Sequence, residues 1–101
     1  MERSILQYYV ALAKEGTEES IGEVMKHLNV DMTIAESKII DFSQGHVCSD
    51  EGVKVMERYL FHGTQIQRNY CALYFGRRGE YRVIKQAYIE GLIDAKQAFS
   101  K

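Results

Sequence analysis

The chain has 101 residues and a formal net charge of −1 at pH 7, with 46% hydrophobic and 27% charged residues. This length suits one domain of ordinary size, so we predict a single domain over residues 1–101, and the composition excludes a chain that is disordered throughout. No window approaches the roughly 20 consecutive apolar residues of a membrane-spanning helix, so we expect no membrane partner.

The N-terminal segment lacks the basic lead, the long apolar stretch and the small-residue cleavage site of a secretory signal. The two cysteines, Cys48 and Cys71, are far apart and form no closely spaced pair, which favours free thiols in a reducing compartment. These two features predict a cytoplasmic protein.

The first predicted element is a helix over about residues 2–14, which Gly16 ends. Thr17 is a natural N-cap for a second helix over about residues 18–28. In that helix the apolar residues recur at the spacing of one buried face; they are Ile21, Val24, Met25 and Leu28.

The pattern Thr33-x-x-Glu36 is that of a capping box and opens a third helix, which runs to about residue 43. We expect Ala35, Ile39 and Phe42 on its buried side. The second and third helices together form a predicted helical hairpin near residues 18–43.

A long helical stretch follows over about residues 50–75. Gly63 and a second capping-box pattern, Thr64-x-x-Gln67, predict either a kink or a break in it. Arg77 and Arg78 then form a turn between glycines, and the next helix covers about residues 80–90 with Ile84, Ala87 and Tyr88 inward. Asp94-x-x-Gln97 opens a short last helix that carries Ala98 and Phe99.

No alternating pattern of useful length predicts a strand. The fold class is therefore all-α, a compact bundle of five to six helices in which the stretch at 50–75 is kinked or broken. Local start and stop signals agree with one another along the chain, which is typical of sequences that specify one structure.

The charges are divided along the chain. Residues 1–57 carry a formal charge of −6 and residues 58–101 carry +5. Basic residues in the second half are interleaved with tyrosines, and tyrosine and arginine are enriched at binding hot spots. The predicted site for a partner or a nucleic acid consists of Arg68, Arg77, Arg78, Tyr81, Arg82 and Lys85.

Two functions fit this site, and in a third interpretation its charges only stabilise the fold. The first function is regulation by protein–protein contacts, either with another protein or with a second copy as a homodimer. The second is nucleic-acid binding, in which arginines contact phosphates and tyrosines stack on bases. In the third interpretation the basic half pairs with the acidic half of the same chain.

The predicted hairpin is a second candidate element for binding nucleic acid, besides the basic residues of the second half. Leu28, Asn29 and Val30 fit a tight turn, Thr33 opens the next helix, and Ala35 and Ile39 face the partner helix. Residues 23–39 thus resemble the helix-turn-helix motif of DNA-binding proteins, and the resemblance implies a DNA-binding regulator. The chain departs from that pattern at Met25, where the family prefers a small residue, and in the acidic face of its recognition helix.

The sequence contains no spacing typical of a metal or a catalytic site. His46, Cys48, His62 and Cys71 form no closely spaced ligand pair of a zinc site. No phosphate loop, no zinc-protease motif and no nucleophile elbow is present. We therefore predict a non-enzymatic protein without a metal, a cofactor or a small-molecule substrate.

Overall fold

The computed structural model describes residues 2–98, and within them all regular secondary structure is helical, as the sequence predicts. The helices are α1 (Glu2–Glu15), α2 (Glu18–Met25), α3 (Ile34–Gln44), α4 (Asp50–His62), α5 (Gln65–Arg77), α6 (Tyr81–Ile89) and α7 (Ala95–Ala98). Six of these have eight or more residues, and α7 is a single turn of four residues. Phe99, predicted in the last helix, lies outside the described residues.

The chain divides into two compact units, Met1–Val55 (unit 1) and Met56–Lys101 (unit 2), and the boundary falls inside α4. Unit 1 has ten acidic and five basic residues, a formal charge of −5. Unit 2 has four acidic and eight basic residues, a formal charge of +4. The single domain expected over residues 1–101 stays a prediction.

The predicted capping boxes at Thr33 and Thr64 are present, and each satisfies backbone N–H groups that a helix start leaves unpaired. At Thr64 the hydroxyl accepts from the Gln67 N–H at 3.2 Å, and the Gln67 side chain accepts from the Thr64 N–H at 2.9 Å. Because Thr64 has an extended backbone (φ −69°, ψ 168°), the stretch at 50–75 is broken there, between α4 and α5.

In unit 1, α1 packs against both α2 and α3. The predicted buried face of the second helix is confirmed, since none of its four apolar side chains is more than 3% exposed. The predicted buried face of α3 is wrong: Phe42 is 59% exposed and Ala35 is exposed, whereas Ile40 is fully buried. The pattern contains both Ile39 and Ile40, and α3 turns the second of them inward.

In unit 2, α5 packs against α6 and α7, and α6 packs against α7. Ile84 and Ala87 of α6 are buried as predicted, but Tyr88 is 38% exposed. Each residue turns a helix by about 100°, so Tyr88 lies outside the narrow seam that Ile84 and Ala87 fill. Among the described residues, no helix is long and apolar enough to cross a membrane.

The starts of α2 and α4 are joined inside unit 1. The Ser49 hydroxyl donates to the Gly16 carbonyl at 2.9 Å and accepts from the Gly52 N–H at 3.0 Å. The Glu51 carboxylate accepts from the Glu18 N–H at 2.9 Å, where negative charge is favourable at a helix N-terminus. This contact requires a close approach of the backbone at Gly16, which has a φ of +63°.

The Gln44 side chain is 1% exposed, and within residues 2–98 neither its oxygen nor its nitrogen has a hydrogen-bond partner. An unpaired buried amide costs about 1–3 kcal/mol. Gln44→Met, which keeps the shape and removes the amide, should therefore raise the free energy of unfolding by about 1–2 kcal/mol in chemical denaturation.

The matched control is Gln7→Met on the exposed side of α1, which should change stability by less than about 0.5 kcal/mol. A loss of stability in Gln44→Met would show instead that the amide has a partner in solution, such as a buried water.

Candidate protein-binding surface

A groove of about 580 Å³ lies in unit 2, beside the first turn of α6. Its apolar lining includes Phe61, Phe75, Tyr81 and Val83. This volume is in the range of binding pockets, about 300–1,000 Å³, and aromatic walls provide a large apolar contact area. The groove can therefore enclose one or two apolar side chains of a partner.

Charged groups in the groove lining have both signs. Glu57, Glu80 and Arg82 take part in the lining, and all three are exposed. The Glu80 carboxylate is paired with Arg78, whose Nε lies 2.6 Å from its Oε2. The groove is thus an apolar depression with a polar, mixed-charge rim, which is the usual anatomy of a protein interface.

One face of α6 continues from the groove along the helix. Tyr81, Tyr88 and Ile89 are 57%, 38% and 66% exposed, and Arg82 and Lys85 lie between them. We call these five residues the α6 surface. Within the described part of the chain, neither Arg82 nor Lys85 makes an ion pair or a side-chain hydrogen bond. The α6 surface combines exposed apolar area with two positive charges and contains no acidic residue.

Of the six residues predicted as the site, three lie together on the α6 surface: Tyr81, Arg82 and Lys85. The structure adds Tyr88, which the sequence pattern placed inward, and Ile89, which it left without a role. The spacing along α6 could have placed both on this surface, because residues 81, 85, 88 and 89 lie along one face of a helix.

Arg68 is half-buried and binds the backbone of its own unit. Its Nε donates to the Leu92 carbonyl at 2.7 Å, and its Nη1 donates to the Gly63 carbonyl at 2.7 Å. Nη2 donates to the Gln65 side chain at 2.8 Å. These bonds link α5 to the segment after α6 and to the end of α4. The Arg68 guanidinium therefore stabilises unit 2 through hydrogen bonds within it.

Arg77 and Arg78 are exposed at the end of α5. The Arg78 guanidinium lies over the ring of Tyr74, 5.5 Å from its centroid, and also pairs with Glu80. Such a cation–π contact contributes about 0.5–1 kcal/mol at an exposed site. Arg78 therefore stabilises the turn before α6, next to the groove.

Unit 1 presents a second exposed cluster, around Glu23. Its carboxylate lies 2.9 Å from the Lys26 Nζ and 3.6 Å from the His27 Nε2, and it accepts from the Tyr8 hydroxyl at 3.3 Å. The hydrogen bond from Lys26 lowers the pKa of Glu23 below its ordinary value. Burial, together with the nearby Glu36 carboxylate, raises the pKa of the neighbouring Tyr9. The cluster joins the exposed sides of α1 and α2.

The hairpin departs from the helix-turn-helix expectation. Ala35, expected to face α2, is exposed, while Ile39 is half-buried. Leu28 is buried at 2%, and Val30 lies in a turn, as expected, and is 85% exposed. The exposed side of α3 carries Ile34 and Phe42, at 76% and 59% exposure, with Lys38 between them, so this side offers phosphates a single positive charge.

The cysteines and histidines form no metal site in the described part of the chain, where no group of three or more ligand-type side chains comes together. Burial raises the pKa of the Cys71 thiol strongly, which keeps it neutral and unreactive. Cys48 is exposed and is not paired with Cys71.

No family model, curated protein or solved structure matches the chain.

Proposed function

We propose that the chain is a small, non-enzymatic regulatory protein that acts by binding another protein through the α6 surface and the groove. One observation carries the proposal: three large apolar side chains and two positive charges share one exposed helix face beside an aromatic groove. Burial of apolar area against a partner contributes roughly 25 cal/mol per Å², and aromatic and arginine side chains dominate hot spots.

The same observations favour a protein partner over a nucleic acid. The Ile89 side chain is 66% exposed and has neither a charge nor a hydrogen-bond donor for a phosphate, whereas an apolar protein surface would bury it. Glu57 and Glu80 in the groove lining would repel phosphates. Arg68 is occupied by backbone carbonyls, so fewer cations remain for phosphate contacts than the sequence suggested.

Photocrosslinking tests the proposal. Tyr81 is replaced by p-benzoylphenylalanine, and the protein is irradiated in an extract of the cells that produce it. We expect protein adducts whose yield falls strongly when the probe-bearing chain also carries Arg82→Glu and Ile89→Ser. The matched control carries the same probe at Lys54, an exposed helix position of unit 1 that lies outside the α6 surface, and should give no saturable adduct.

Two results would overturn the proposal. Adducts of equal yield at both positions would mean that the α6 surface is no preferred site. Adducts sensitive to nuclease would identify a nucleic acid, and binding to labelled DNA or RNA would then weaken with salt at a log–log slope of about −3 to −4, equivalent to about four phosphate contacts.

A further inference from the structure

We propose that the partner of the α6 surface is unit 1 of a second copy of this chain, so that copies associate head to tail. This inference rests on the proposed function, because it names the protein that the α6 surface binds. Its evidence is a second exposed apolar surface, on α3, and the opposite charges of the two units.

The α3 surface consists of Ile34, Lys38 and Phe42, which follow one another at intervals of four residues on one side of the helix. Ile34 is 76% exposed and Phe42 is 59% exposed, and Val30 in the preceding loop is 85% exposed. Large apolar side chains grouped in this way typically mark an interaction site, whereas single exposed ones need no explanation.

The apolar parts of the two surfaces suit each other in shape. The α3 surface projects two large side chains from a helix, and the groove of unit 2 is an aromatic depression of about 580 Å³. The ring of Phe42 from one copy can enter the groove of the next, against Phe61 and Tyr81. Aromatic pairs contribute about 0.5–1.5 kcal/mol beyond the area they bury.

The charges give this contact its direction. Unit 1 has a formal charge of −5 and unit 2 has +4. Unit 1 of one copy therefore repels unit 1 of another copy and attracts its unit 2. The α3 surface itself carries Lys38 and is preceded by exposed Asp31, and the α6 surface offers Arg82 and Lys85, so the attraction comes from the net charge of unit 1 as a whole. Complementary potentials of this kind select the partner and speed the encounter.

The proposed contact joins two different surfaces of the chain. A pair that makes only one such contact keeps one free α3 surface and one free α6 surface and can grow into a ring or an open chain, whereas a pair that makes both contacts at once is closed. A contact of the α6 surface with its own copy would instead bring Arg82 and Lys85 of two copies together.

Sedimentation velocity with two complementary variants tests the inference. The first variant, Tyr81→Glu with Arg82→Glu, blocks the α6 surface; the second, Ile34→Ser with Phe42→Ser, blocks the α3 surface. All four positions are exposed, and far-ultraviolet circular dichroism should confirm unchanged helix content. The proteins are compared at low salt from about 10 µM to about 1 mM, the range of weak association.

We expect the wild-type chain to form species larger than 11.6 kDa as its concentration rises, and each variant alone to associate at least about 30-fold more weakly. An equimolar mixture of the two variants should form a dimer and nothing larger, because only one intact α6 surface and one intact α3 surface are left to meet. About 0.5 M salt should weaken this dimer.

A wild-type chain that stays monomeric over the whole range would overturn the inference. So would a mixture of variants that stays monomeric, since mixing leaves one intact α6 surface and one intact α3 surface that should bind each other. In either case, photocrosslinking from residue 81 to a different protein would still support the proposed function, so the two failures are distinguishable.

Discussion

Gly16→Ala should lower the free energy of unfolding by about 3 kcal/mol or more, measured by urea denaturation. Gly16 has a φ of +63°, a conformation that costs a residue with a Cβ roughly 1–2 kcal/mol. The added Cβ would also overlap the Ser49 hydroxyl and come within 3.2 Å of the Ser49 Cβ. Ser49 would have to move and would lose its bonds to Gly16 and Gly52.

Gly79→Ala is the matched control, because Gly79 has a φ of +75° but an added Cβ there meets nothing within 4 Å. It should lose only the conformational part, about 1 kcal/mol. In a Ser49→Ala background the cost of Gly16→Ala should shrink, since the hydroxyl that it overlaps is gone. Equal losses at the two glycines would show that the contact between Gly16 and Ser49 does not constrain unit 1.

Phe75→Ala should cost about 3–5 kcal/mol of stability, because the ring is 1% exposed and its loss leaves a cavity among α5 and its neighbours. Phe75 also makes an edge contact with Tyr74, with ring centroids 5.0 Å apart. The expected change is a lower denaturation midpoint with a similar dependence on urea concentration.

Phe42→Ala makes the same chemical change on a side chain that is 59% exposed and that contacts only the ring of His46 among the aromatic groups described. It should cost less than about 1 kcal/mol. A cost for Phe42→Ala as large as that for Phe75→Ala would mean that Phe42 is buried in the folded monomer, which would remove it from the proposed interface.

Helix boundaries could be predicted because they depend on local chemistry. Thr33 and Thr64 cap helices wherever the rest of the chain lies, and the glycine at Gly63 with the capping box after it marks the break. The buried face of α2 could also be predicted, since its apolar residues fit one face only.

Burial could not be predicted where the apolar pattern fits two faces. In α3, Ile39 and Ile40 are adjacent, and packing against α1 selects Ile40, which leaves Phe42 outside and Gln44 inside. The role of Arg68 depends on Leu92, which is 24 residues away and has no sequence signal that links the two. Three of the six candidate residues lie together on the α6 surface because charge and tyrosine content are visible in the sequence, whereas the groove depends on tertiary packing.

Amide NMR spectra of isotope-labelled protein, recorded while unlabelled wild-type chain is added, test most directly whether the α6 surface binds unit 1 of a second copy. The predicted result is a set of concentration-dependent shifts in the labelled α6-surface residues and groove, accompanied by shifts around Ile34 and Phe42. Shifts at those places should vanish in labelled protein that carries both pairs of blocking substitutions. Spectra that do not change, or shifts that avoid the α6 surface, would contradict the account.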